Sequence, residues 1–278
     1  MFYLFVFLFG LIIGSFLNVV LFRYDTKKSL VNDRSKCRSC EKVLKWYELI
    51  PVFSFLWQRG KCAGCGKKIS WQYPLVELAT GALFLLIFNN QFSIFNKFSI
   101  IQFSNINPHF LLSIAYWLII TCFLILIFVY DYHTQIIPNE FVYPFIFLSF
   151  FSFFVENWAL IENWKLKIEN FAPHFLTGIF FFLFFWSLWF FSHGRAMGFG
   201  DAKLAIGIGW FLGLQDGIIA LLLSFWIGAI VGIFLLVLNK KKYNIKSKIA
   251  FGPFMVFGTL LAFLFGNNLV GLWLNLFS

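Results

Sequence analysis

Three groups of residues have the types and spacing for chemistry. The stretch Met197-Gly-Phe-Gly-Asp-Ala-Lys-Leu204 sets one carboxylate, Asp201, beside Gly198, Gly200 and Lys203, in a chain built mostly of Phe, Leu and Ile. A second acid, Asp131, opens Asp131-Tyr-His-Thr-Gln-Ile-Ile-Pro-Asn139 at the end of an apolar run. Four thiols form two CxxC pairs, Cys37-Arg-Ser-Cys40 and Cys62-Ala-Gly-Cys65, with 21 residues between them.

An ionised Asp in the middle of a lipid-facing helix costs roughly 2.5 to 3.5 kcal/mol, so an acid in such a chain needs water, a partner or a role. Gly198 and Gly200 offer unusual backbone angles and room for a second backbone beside Asp201, as a peptide substrate would require. The plainer alternative is that Asp201 caps a helix at the interface while the glycines make a turn. If Asp131 and Asp201 converge, they cannot both ionise easily. One then keeps a proton while the other activates water against an amide carbonyl, which is aspartic-peptidase chemistry. Independent interfacial acids, or a proton relay in a transporter, would use the same residues. Lys203 either acts on Asp201 through its charge or snorkels to the interface. His133 is expected to hydrogen-bond locally, and Glu77 to cap a helix start.

The thiols suit a closed tetrahedral zinc site of Cys37, Cys40, Cys62 and Cys65, because each CxxC makes a tight knuckle supplying two sulfurs. Disulfides are the alternative, disfavoured in a reducing compartment. Metal would supply much of the folding free energy of so small an insert. Cys122, alone in an apolar run, is read as packing.

These groups must be positioned by membrane helices. Of 278 residues, 60% are hydrophobic, 12% are charged and 43 are Phe, which excludes a water-soluble domain. Apolar runs near the 20 residues that span a bilayer, with no alternating barrel pattern, predict an all-α polytopic fold of about eight transmembrane helices. The spans fall at about 1–22, 74–88, 110–130, 141–155, 175–191, 203–214, 218–238 and 252–276, with external loops at 89–107 and 156–173. The first run has no basic residue ahead of it and reads as a retained helix, not a cleaved signal. Its Gly14-Ser-Phe-Leu-Asn18 segment reads as helix packing. Trp46 to Leu56, aromatic and apolar, is expected to lie flat on the membrane. The predicted organisation is residues 1–22 as first helix, 23–73 as a zinc-knuckle cytoplasmic insert and 74–278 as a seven-helix membrane region.

The net charge of +10 records orientation better than nucleic-acid binding. Eight alternating helices put loops starting at 23, 131, 192 and 239 on one side. Nineteen of the 22 basic residues lie there, and only Lys97, Lys165 and Lys167 lie opposite. The positive-inside rule therefore places Asp131, Asp201 and the cysteines at the cytoplasmic face, with the N-terminus outside.

The combination resembles the type IV prepilin peptidases, bifunctional leader peptidases and N-methyltransferases of the bacterial inner membrane. The resemblance rests on Gly14-Ser-Phe-Leu-Asn-Val19 with Arg23, the paired CxxC knuckles, Ile50-Pro51 with Ser54, Gly60-Lys-Cys62 and Tyr73-Pro-Leu-Val-Glu77. Asp131 with Pro138-Asn139, Gly198 to Leu204, and Phe251-Gly-Pro253 complete it. It implies that Asp131 and Asp201 form a catalytic dyad that cuts a basic leader, after glycine, from prepilins or secretion pseudopilins. It further implies methylation of the new N-terminus, usually Phe, with S-adenosylmethionine as donor, an activity associated with the Cys-bearing region. Where relatives often carry Asp or Asn followed by Asn before the Ile-Pro pair, this chain has Glu48-Leu49.

Overall fold

The computed structural model describes residues 2–26, 29, 34–98, 108–156, 164–195, 197–238 and 249–277. The long helices are α1 (Phe2–Thr26), α3 (Gln72–Phe98), α4 (Pro108–Thr134), α5 (Asn139–Glu156), α6 (Trp164–Phe191), α7 (Phe199–Leu238) and α8 (Gly252–Phe277); α2 (Phe53–Trp57) is a single short turn. Five of the described helices are long and apolar enough to cross a membrane, and two shorter apolar helices cover Asn139–Val155 and Gly252–Gly266. The chain divides into two compact units, Met1–Cys122 and Phe123–Ser278.

In the first unit α1 packs on α3. Gly10 and Gly14, four apart on α1, face Gly81 and Glu77 of α3 so closely that a Cβ at either would stand 2.7 Å from the partner's Cα. Without a hydrophobic drive between helices in lipid, such small residues gain association through backbone approach. Val6, Phe84, Phe88 and Ile114 form a core beside them, with Cys122 packed against it. The packing roles expected of Gly14 and Cys122 hold.

The second unit is organised by α7. An uninterrupted helix over residues 199–238 would reach about 60 Å, twice the hydrocarbon thickness. It is broken at Gly213 (φ 70°, ψ −168°), a conformation that favours glycine. The chain reverses there. Along the first arm, Phe199 meets Phe182 and Trp189 of α6, and Trp210 meets Phe175, so the two run antiparallel. Along the second arm, Gly217 meets Phe181 and Phe225 meets Phe185, so the sense is parallel. The two arms are the sixth and seventh spans read from the sequence. At the break, the Trp210 carbonyl loses its helical donor and is met instead by Ser152 Oγ of α5 and, at 2.6 Å, by His174 Nε2 of α6. Such substitution is what allows a helix to break within a membrane.

Two expected loops are partly helical: α3 continues to Phe98, beyond the expected end at 88, and α6 begins at Trp164 with Pro173 inside it. Hydropathy marks where a helix meets lipid, whereas its hydrogen bonds continue through polar residues. The lysine-rich segment at 239–248 and the remainders of the expected loops, at 99–107 and 157–163, lie outside the described residues.

Candidate active site and metal site

Asp131 stands in the last turn of α4 and Asp201 in the first turn of α7. Both are buried, 3% and 7% exposed. Asp201 Oδ2 accepts the Gly198 N–H at 3.1 Å, and the Asp201 N–H donates to the Gly198 carbonyl at 3.2 Å. The acid therefore does cap its helix, in the manner of a capping box. It also lies within Coulombic reach of Asp131. The Asp131 carboxylate accepts the backbone N–H of Gly252, at the start of α8. A Cβ on Gly252 would collide with Asp131 Oδ2. Ile137, in the loop after α4, completes the junction: it would stand 3.0 Å from a Cβ on Gly200 and 3.1 Å from one on Gly252. One loop side chain thus wedges between two helix starts, each of which offers a backbone N–H to an acid.

Several supporting residues act differently from the sequence expectation. Gly198 and Gly200 do not use glycine-only angles; the positive-φ glycines among the described residues are Gly60, Gly66, Gly194 and Gly213. Gly200 is small because Ile137 fills its space, not because a second backbone lies there. Lys203 turns away to α5, donating to Asn139 Oδ1 at 2.8 Å and lying over the rings of Tyr143 and Phe199. His133 is exposed and packs edge-on against Tyr132. The sequence presents Phe251-Gly-Pro253 only as a motif; the contact of Gly252 with Asp131 emerges from the fold. A Gly-Pro pair marks a helix start, but nothing in it reveals which acid that start will face.

In the first unit the four sulfurs of Cys37, Cys40, Cys62 and Cys65 lie within 4.8 Å of one another, with Cys37 and Cys65 Sγ 3.9 Å apart. Tetrahedral zinc with bonds of about 2.3 Å sets sulfurs roughly 3.8 Å apart, so the cluster fits the ion. None of the five cysteines is joined in a disulfide in this structure, and the 3.9 Å between Cys37 and Cys65 Sγ is a spacing of metal ligands rather than of an S–S bond. The two knuckles repeat one turn. Cys37 and Cys62 N–H bond to the Lys42 and Lys67 carbonyls, and their own carbonyls accept from Glu41 and Gly66, both at positive φ. Backbone N–H groups of Ser39 and Gly64 point at the sulfurs of Cys37 and Cys62, and the first, with Cys40, brings the Cys37 thiol down to about 6.

Glu48, the departure noted in the sequence, is a brace of this insert. Its carboxylate accepts from Lys42 Nζ and from the Lys45 N–H, each at 2.8 Å, tying a short 3-10 turn (Trp46–Leu49) to the first knuckle. The Lys42 ammonium, with the Lys45 N–H, holds the Glu48 carboxyl below the usual carboxylate range. Glu77 is not a cap of its own helix; its Oε2 accepts the Val52 N–H at 2.7 Å.

The fold and these sites define a multi-pass α-helical membrane protein with a buried acid pair at helix ends and a separate four-thiol knuckle. Residues 8–91 match the bacterial peptidase A24 N-terminal domain, and residues 118–233 match the type IV leader peptidase family. The chain is 30% identical to the prepilin leader peptidase/N-methyltransferase of Bacillus subtilis over 97% of both chains. It is 29% identical to that of Aeromonas salmonicida, over 97% of this chain and 93% of the relative. The Myxococcus xanthus protein of the same name shares 49% identity over 84 residues, 30% of this chain and 25% of that one. The chain belongs to the type IV leader peptidase family. No solved structure matches it, and the transporter reading finds no support among these relatives.

Proposed function

We propose that this chain is a membrane aspartic endopeptidase that removes the leader from type IV prepilins or pseudopilins and N-methylates the new N-terminus. The observation that carries the peptidase reading is the convergence of Asp131 and Asp201, buried and within each other's field, at the ends of α4 and α7. Two carboxyl groups so arranged titrate as one unit that holds a single proton over its working range. The ionised member takes a proton from water as the water oxygen attacks the scissile carbonyl. The protonated member donates a hydrogen bond to the carbonyl oxygen, and a proton passes to the leaving nitrogen as the C–N bond breaks. Gly252 and Gly198 hold the two carboxylates through backbone N–H groups, and Ile137 fixes the spacing of the helix starts.

For the second activity bound S-adenosylmethionine would supply an electrophilic methyl carbon to the newly freed amine, the sulfonium leaving as a neutral thioether and the amine nitrogen giving up a proton. The cysteines hold structural zinc: four thiolates leave no open coordination position, so the ion shapes the insert without touching substrate. By charge distribution the insert and the acids face the cytoplasm of the bacterial inner membrane, with the N-terminus outside. In this reading residues 1–22 are the first span, 23–73 the zinc-binding insert and 74–278 the peptidase region.

The test is mass analysis of a prepilin incubated with the purified protein, with and without S-adenosylmethionine. Loss of the leader in both samples and one methyl increment only with the donor is the expected result. An intact substrate would sink the peptidase reading, and cleavage without methylation would sink the second activity alone.

A further inference from the structure

A cavity of about 680 Å³ opens in the first unit between α1, the start of α3 and the zinc knuckles. Its lining residues all belong to the first unit, whereas the acid pair belongs to the second. Its size falls in the range of small-molecule sites. Its floor is built from Ser15 and Asn18 of α1 with Tyr73 and Glu77 of α3.

Asn18, read from the sequence as packing, is 3% exposed. Its Nδ2 donates to the carbonyls of Tyr73 (3.1 Å) and Gly14 (3.3 Å), which fixes the orientation of the amide. Oδ1 is then left buried without a hydrogen-bond partner among the described residues. A buried acceptor left unpaired is costly, and native structures seldom keep one that nothing fills. Beside it, the Glu77 carboxyl is bonded by Ser15 and by the Val52 N–H. Val52 sits at φ 63°, ψ −50°, where the Phe53 N–H reaches back to the Pro51 carbonyl at 2.6 Å. That is the rare, strained form of the γ-turn, here at a β-branched residue. Strain of this kind persists where the surroundings impose it, and it concentrates at ligand sites.

The rim has the opposite character. Arg34, Lys36 and Arg38 stand there, and the Arg38 guanidinium lies 4.4 Å from the Phe22 ring centroid and 5.7 Å from that of Tyr73. Acceptors at the floor, cations at the rim and aromatic walls suit a zwitterion that carries an ammonium at one side and a carboxylate at the other. A phosphate or other plain anion would engage the rim but offer no donor to Asn18.

We propose that this cavity binds the methyl donor S-adenosylmethionine, with Asn18 and Glu77 receiving its ammonium group and the rim, Arg38 foremost, its carboxylate. The assignment rests on the N-methyltransferase reading above. It makes Asn18 and Arg38 specificity-determining residues for the amino-acid half of the donor.

Calorimetry on the full chain in detergent tests it with two probes: S-adenosylhomocysteine, which keeps the ammonium and carboxylate, and 5′-methylthioadenosine, which lacks both. Asn18→Leu and, as a surface change that does not threaten folding, Arg38→Gln are each expected to weaken S-adenosylhomocysteine at least tenfold and leave 5′-methylthioadenosine within twofold. Zinc content reports that the insert is intact. Unchanged affinity for S-adenosylhomocysteine in both variants, or equal loss of both probes, would place the donor elsewhere and overturn the assignment while leaving methyl transfer standing. A wild-type chain that cleaves prepilin but binds neither probe would remove the methyltransferase reading and this proposal with it.

Discussion

The backbone of Gly252 touches the carboxylate of Asp131: its N–H bonds to the acid, and the place of its missing Cβ is taken by Asp131 Oδ2. These residues are 121 positions apart in the chain. Gly252→Ala must therefore displace either Asp131 or the start of α8. Misplacement of a reacting group by about 1 Å costs on the order of 10²-fold in rate. A loss of that size in kcat for leader cleavage is expected, with KM and zinc content little changed; wild-type kcat in the variant would show that Asp131 tolerates the shift.

Asp131 and Asp201 act as one unit if cleavage needs one proton between them. The pH profile of kcat/KM should then be bell-shaped, falling on the acid side as the ionised member is protonated and on the alkaline side as the shared proton is lost. Asp131→Asn and Asp201→Asn should each reduce cleavage to background in protein that still purifies as a monodisperse species. Processing that persists in either variant would refute the dyad.

The thiol cluster belongs to the first unit and the acids to the second. Cys62→Ser should therefore release zinc and loosen the insert while leader cleavage continues. Metal analysis and a cleavage assay on the same preparation decide it. Retention of stoichiometric zinc would contradict the four-ligand assignment, and loss of cleavage would contradict a purely structural ion.

Glu48 is held below its ordinary range by Lys42 and the Lys45 N–H. A carboxyl lowered on folding contributes stability that is present above its unfolded pKa and is lost as pH falls through the folded value. Glu48→Gln should accordingly lower the melting temperature of the insert at neutral pH, and the gap from wild type should close on acidification. Zinc release is common to both proteins and cancels in the difference. A gap independent of pH would assign the effect to packing alone.

The two acids, the thiol cluster and the all-helical membrane class stand out in the sequence because each is written in residue type and local spacing. A carboxylate in an apolar chain, two CxxC pairs and runs of Phe and Leu carry their meaning without neighbours. The relationships that build the sites are not of that kind. Gly252 against Asp131, Ile137 between Gly200 and Gly252, and Val52 held by Glu77 join residues distant in the chain. Gly198 and Gly200 looked like backbone-angle residues and proved otherwise, since a short glycine motif does not say which property of glycine is used. Asn18 does join α1 to α3, as a packing residue would, but its unpaired Oδ1 leaves no trace in the sequence. Helix ends at Phe98 and Trp164 exceeded the hydropathy limits, which report lipid contact only.

The reversal at Gly213 leaves α7 with a first arm of residues 199–212, about 21 Å long at 1.5 Å per residue. A typical bilayer interior is roughly 30 Å deep. Residues 200–212 are all buried or half-buried against the rest of the unit, so a segment that short can stop inside the apolar slab, walled by protein, with Ser152 and His174 serving its bare carbonyl as solvent would.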